Sequence, residues 1–129
     1  MKKLRLTLKK KWFDMILSGE KKEEYREIKE YWVRRLIDFK EDVEPEVLDE
    51  FITDLSMPYF RHHSVRELFK YFGASFKKFD VVEFKNGYNS HNPYFIIDLL
   101  WIEIDAGLED QGAEDGKFYF VLRLGEIIK

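Results

Sequence analysis

Three ionisable residues stand at fixed offsets behind a glycine in the stretch Gly19-Glu20-Lys21-Lys22-Glu23-Glu24-Tyr25-Arg26. On an extended chain Glu24 and Arg26 point to the same face, about 6.6 Å apart along the strand, and Lys21 stands at the strand's entrance. Arg26 offers a planar fork that suits a phosphate or a base edge, Lys21 a mobile point charge, and Glu24 an acceptor for an exocyclic amine. That set suits a nucleoside or nucleotide. Lys21 and Glu24 also have the chemistry for acid–base work if burial shifts either pKa. The bland alternative is an ion pair that ties a helix to a strand.

Other groups with binding chemistry are fewer. Trp12, Tyr25, Tyr31, Trp32 and Tyr88 have rings on which an unpaired base can stack, although aromatics at helical spacing more often belong to a core. Trp12 is the strongest exception, because it opens the helix in front of Gly19. Asn86 and Tyr88 flank Gly87 in what reads as a hairpin turn, from which either can line the rim of a cleft. His62-His63 and His91 lack the partners at helical or strand spacing that a metal site needs, so no metal ligands are assigned. The chain has no P-loop and no dinucleotide-binding glycine fingerprint, and no cofactor is expected.

The elements that must position these residues follow from periodicity. Leu4, Leu6 and Leu8 alternate with polar residues as in a half-buried strand, and Lys9-Lys10-Lys11 is a basic link. Trp12, Phe13, Ile16 and Leu17 form the apolar stripe of a two-turn helix with no recognisable N-cap, closed by Gly19. Residues 21–27 are a strand of mixed charge. Residues 28–39 have helical spacing at Ile28, Tyr31, Trp32, Leu36 and Phe39. Pro45 opens a third helix carrying Val47, Leu48, Phe51, Ile52 and Leu55, which ends at Met57-Pro58-Tyr59. Ser64 and Glu67 form a capping box for a fourth, closed by Gly73. The last third is strand-rich: residues 79–85, then the long apolar run 94–104, a polar acidic loop from Gly107 to Gly116, and a final strand 118–124 ended by Gly125.

Composition sets the outer bounds. With 129 residues, 45% of them hydrophobic and 17% aromatic, the chain fits one domain, 1–129, that buries a single core. It has no Cys, which excludes disulfides and thiolate metal sites. No apolar run approaches the roughly 20 residues of a membrane span, and the start lacks the pattern of a signal peptide, so a cytoplasmic protein with no membrane contact is expected. The net charge of −3 argues against a dedicated polynucleotide binder. The charge is uneven, however, with a basic first third and acidic stretches over 41–54 and 103–115 that would repel a long polyanion beside the cleft.

With the elements in that order, Gly19-x-Lys21-x-x-Glu24-x-Arg26 behind an aromatic helix resembles the signature of the ASCH domain, a member of the PUA-like barrel superfamily. Phe79-Asp80-Val81-Val82, the Asn86-Gly87-Tyr88 turn and the closing Leu124-Gly125-Glu126-Ile127-Ile128 are also similar to that family. The resemblance covers about residues 3–40 and 76–128, and the helical stretch at about 41–75 reads as an insertion. It implies an α+β fold: a small PUA-like mixed β-barrel of five or six strands with flanking helices and an inserted helical hairpin. It also implies a cleft between the first helix and the signature strand. Most family members are regarded as RNA binders, and one branch deacetylates a modified cytidine nucleoside. That branch relies on a Lys, a Thr three residues later and a distant acid. Lys21 matches, but Glu24 stands where the Thr should be, and no Ser or Thr occurs between Gly19 and Ile52. Glu103, Glu109 and Glu114 are alternative counterparts of the distant acid.

These readings lead to an RNA- or nucleotide-binding domain whose ligand contacts Trp12, Lys21, Glu24, Arg26, Asn86 and Tyr88. The alternative is a small hydrolase on a modified nucleoside (N4-acetylcytidine amidohydrolase-like) or on RNA, with Lys21 and Glu24 as the catalytic pair. A third reading gives the aromatic insertion a partner protein.

Overall fold

The computed structural model describes residues 1–57 and 64–129; the expected helix break at Pro58-Tyr59 and the pair His62-His63 lie outside the described residues. The protein is α+β. In order it runs β1 (Lys3–Leu8), α1 (Lys10–Leu17), β2 (Glu23–Glu27), α2 (Glu30–Leu36), β3 (Ile37–Phe39), α3 (Pro45–Ser56), α4 (Val65–Phe72), β4 (Ala74–Phe76), β5 (Val81–Asn86), β6 (Tyr94–Ala106) and β7 (Phe118–Ile127). A short 3-10 turn, Glu109–Gln111, interrupts the loop before β7.

Five strands form one curled sheet in the order β1-β5-β6-β7-β2. β1 runs parallel to β5 and every other pairing is antiparallel. The sheet is a half-barrel, not a closed one, because β1 and β2 are both edges. Its concave face carries the alternate residues that the leucine pattern marks. Leu4, Leu6 and Leu8 of β1 are buried with Val82 and Phe84 of β5 and with Phe120, Leu122 and Leu124 of β7. The helix α1 covers this face with Phe13 and Ile16, while Leu17, counted in its apolar stripe, is exposed.

The curvature comes from β6. Its register against β7 shifts between Ile97 and Leu99 and again between Leu99 and Trp101, and such irregularities bend a strand and increase its twist. Gly125 lies under this bend and does not end the final strand, which continues to Ile127. A Cβ at Gly125 would lie 3.0 Å from the Leu100 side chain and 3.1 Å from Asp98. The glycine there leaves room for the side chains of Leu100 and Asp98 instead of marking a turn.

Other boundaries also move. The expected second helix over 28–39 is shorter, because Ile37–Phe39 is drawn into an antiparallel pair with Ala74–Phe76. That two-stranded sheet closes the base of the helical hairpin α3–α4. The first helix begins one residue inside the basic link, at Lys10, with Lys9 at its N-cap and no side-chain cap. Ser64 accepts the Glu67 backbone N–H at 3.1 Å, as the capping pattern requires, and Gly73 closes α4 in the left-handed conformation. Asn86-Gly87 is not a tight hairpin turn. Residues 87–93 make a longer loop between β5 and β6, in which the Asn92 amide donates to the Asn86 carbonyl at 2.6 Å. Among the described residues no helix is long and apolar enough to cross a membrane.

Candidate functional site

The signature residues reach the concave face through strand register. Glu24 and Arg26 lie opposite Leu122 and Phe120 of β7, both of which face the core, whereas Glu23, Tyr25 and Glu27 lie opposite Arg123, Val121 and Tyr119 on the other face. Two charged residues therefore sit where the half-barrel would otherwise be apolar. Burying them requires partners, and the partners are one another. Glu24 Oε2 accepts from Arg26 Nη2 at 2.7 Å, and Glu24 Oε1 lies 3.5 Å from Lys21 Nζ.

Lys21 follows the left-handed Gly19 that ends α1, and the chain turns inward there: the Lys21 backbone N–H donates to the Met15 carbonyl at 2.9 Å. Its side chain is 1% exposed. The ammonium group donates to the Gln111 carbonyl and lies 4.9 Å from the Trp12 ring and 4.5 Å from the Tyr25 ring. Burial pulls its pKa below the ordinary lysine range, against the opposing pull of Glu24.

Arg26 spans the gap between the two edge strands. While one guanidinium nitrogen holds Glu24, it also donates to the Thr7 carbonyl of β1 at 3.0 Å. The guanidinium lies 4.8 Å from the Trp32 ring of α2, and Arg35 packs 5.4 Å from that same ring. Arg35 in turn donates to the Arg5 carbonyl at 3.1 Å. Side chains thus close the seam that backbone pairing leaves open.

In front of this cluster is a cleft of about 620 Å³, within the usual size range of small-molecule sites. Its wall includes Trp12, Glu24, Arg26, Asn86 and Tyr88, which are five of the six residues expected to bind. The sixth, Lys21, does not line the cleft and stands behind the wall formed by Trp12, Glu24 and Gln111. The cleft passes over the free edge of β2, so Tyr25 and Glu27 from its other face also contribute.

The remaining lining residues were not legible in the signature. Lys9 and Thr7 come from the end of β1, and Gln111, Gly112, Glu114, Lys117 and Tyr119 come from the acidic loop and the start of β7. Two tyrosine hydroxyls fix that loop, Tyr25 accepting the Leu108 N–H at 3.0 Å and Tyr119 accepting the Glu114 N–H at 2.9 Å. The Tyr25 hydroxyl also donates to Glu23, and its pKa is raised by burial and by that bond. Lys117 Nζ lies 2.9 Å from Glu27, which holds the Glu27 carboxyl below its ordinary range and raises Lys117. Thr7 supplies the one Ser or Thr among the lining residues. An alternating strand with a threonine facing away from its leucines was the available signal for it.

Of the three distant acids, Glu114 lines the cleft. Glu103 is on the outer face of β6, bonded to the Trp101 indole at 2.5 Å and to Arg123 at 3.1 Å. Glu109 lies in the 3-10 turn and outside the cleft lining. His91 is exposed in the 87–93 loop, and no three His, Cys, Asp or Glu among the described residues group as metal ligands. Comparison with protein-family models, with curated proteins and with solved structures finds no match to this chain.

Proposed function

We propose that this chain is an ASCH/PUA-like domain that holds a nucleoside, a nucleotide or the exposed base of an RNA in the cleft in front of Lys21, Glu24 and Arg26. The observation that supports the reading most is the convergence of Lys21, Glu24 and Arg26 on one ion-paired cluster at and behind the wall of the cleft. A flat polar base entering there would meet the Glu24 carboxylate as an acceptor and the Arg26 guanidinium as a donor. Trp12 and Tyr88, whose rings can stack on a base, line the same cleft.

A second reading, hydrolysis of a modified nucleoside, is favoured by one specific observation. Burial lowers the Lys21 pKa beside Glu24, which makes proton transfer within that pair easier than between exposed groups. In this reading Glu24 faces the substrate and Lys21, behind it, supplies or takes the proton.

The test is a panel of acetylated and unmodified nucleosides and short RNAs, followed by thermal shift and by product analysis. Binding appears as a rise in melting temperature that Tyr88→Ala weakens; Tyr88 is 90% exposed, so its loss leaves the fold intact. Turnover by the wild type selects the hydrolase reading over the binding one, and its loss in Glu24→Gln, assayed below that variant's melting temperature, places it at this cluster. No shift and no turnover across the panel would overturn both.

A further inference from the structure

The outer face of β1 and β5 has a second, smaller cavity of about 180 Å³, lined by Arg5, Leu6, Thr7, Glu83, Lys85 and Tyr88. It shares Thr7 and Tyr88 with the main cleft, so the two adjoin at the end of β1. Strand register builds it. Parallel pairing sets Arg5 beside Glu83 and Thr7 beside Lys85, and the leucines of β1 turn inward, leaving these polar residues in a row outside.

The two cavities differ in charge. The main cleft is lined by three cations, Lys9, Arg26 and Lys117, and by three carboxylates, Glu24, Glu27 and Glu114. The side cavity has Arg5 and Lys85 against Glu83 alone. Glu83 is shared between Arg5 at 3.3 Å and Lys3 at 3.4 Å, and no ion pair to Lys85 occurs among the described residues. The side cavity is also smaller than the roughly 300 Å³ at which small-molecule pockets begin. It has room for a compact anion and not for a nucleoside.

We propose that the side cavity is a phosphate subsite, so that the ligand has two parts: a base and sugar in the main cleft and a phosphate on Lys85 and Arg5, joined past Tyr88. The inference rests on the nucleoside reading of the main cleft and narrows it to a phosphorylated ligand. The phosphate belongs either to a mononucleotide or to the backbone of an oligonucleotide.

The experiment titrates the full chain by calorimetry with the four nucleosides, their 5′- and 3′-monophosphates, a set of trinucleotides and inorganic phosphate. Wild type is compared with Lys85→Gln and with the double variant Arg5→Ala/Lys85→Ala, each checked by circular dichroism. The nucleoside that binds should bind about tenfold tighter as a monophosphate at low salt, a difference of about 1.4 kcal/mol. That advantage should shrink with added salt and disappear in the double variant, whose affinity for the bare nucleoside stays unchanged. A trinucleotide that gains further over the monophosphate identifies the backbone as the source, and equal affinity identifies the mononucleotide. If a nucleoside binds but its phosphates add nothing, or the advantage survives in the double variant, the phosphate subsite is overturned and the cleft reading stands. If neither nucleosides nor phosphates bind, the cleft reading fails and the subsite falls with it.

Discussion

Glu24 is the carboxylate between the buried Lys21 and the partly buried Arg26, and that decides what happens when a member of the cluster is removed. Glu24→Gln leaves Lys21 and Arg26 facing each other without a counter-charge, and breaking a buried pair in this way costs about 3–5 kcal/mol. Lys21→Met is milder. It removes a desolvated charge, leaves Glu24 paired with Arg26 at 2.7 Å, and costs mainly the bond to the Gln111 carbonyl, about 1–3 kcal/mol. Urea denaturation at neutral pH should rank Glu24→Gln as the more destabilised of the two, and the reverse order would mean that Lys21, not Glu24, anchors the cluster. Lys21 also sets a pH dependence whose sign follows from burial. Its folded pKa lies below the unfolded value of 10.5, so between the two the unfolded chain holds more protons and stability rises with pH. Tyr25, raised by burial, acts oppositely only above its ordinary 10.0. Stability measured from neutral pH up to 10 should therefore climb more in wild type than in Lys21→Met, and identical slopes would remove burial of the charged lysine from the account.

At the scale of elements, the site depends on how α1 hands the chain to β2. Gly19 has φ +84°, with nothing within 4 Å of where a Cβ would be, so the cost of a side chain there lies in the backbone alone. Gly19→Ala should lower stability by about 1–2 kcal/mol, and Gly19→Asn by less, since asparagine tolerates the left-handed region. A thermal melt in which both equal wild type would show that the helix end has no need of that conformation. The glycine was readable because a helix stop needs only local chemistry. The second helix was not fully readable, since Phe39 keeps helical spacing yet is extended. Pairing of Ile37–Phe39 with Ala74–Phe76 overrides a local preference that amounts to tenths of a kcal/mol per residue. Gly125 misled for a related reason, being a close-packing residue under the bend of β6 and not a stop.

For the whole molecule, the helical stretch over 41–75, expected as an insertion, packs into the same core as the sheet. Leu48, Phe51, Leu55 and Leu68 belong to the same buried cluster as Leu4, Phe84 and Phe120. A run of ring contacts links them, Phe51 to Phe69 at 5.7 Å, Phe69 to Phe76 at 4.9 Å and Phe76 to Phe120 at 6.2 Å. Most of the apolar face of the hairpin is therefore taken up inside the chain's own core, with Val47 left exposed. Phe51 is fully buried, and Phe51→Ala should cost about 3–5 kcal/mol. Far- and near-ultraviolet circular dichroism followed together through unfolding should give one transition. Two separate transitions would mean that the hairpin folds as its own unit.

What the sequence determined by itself is local: the alternation of β1, the glycine-stopped α1, the Ser64 cap, and the face shared by Glu24 and Arg26. Each depends on residues a few positions apart, whose geometry is set by strand rise, helix pitch and the freedom of glycine. Tertiary structure alone decided that Lys21 lies behind the cleft wall and that Glu114, not Glu103, reaches the cleft. It also brought Thr7 and Lys117 to that cleft and left the barrel half open, closed at its seam by Arg26 and Arg35. Those outcomes depend on contacts between residues far apart in the chain, such as Arg26 with Thr7 and Lys21 with Gln111, and no local period encodes them. The Lys21-Glu24-Arg26 spacing could be read directly, but its burial could not, because burial is set by the other strands and the loop that pack around it.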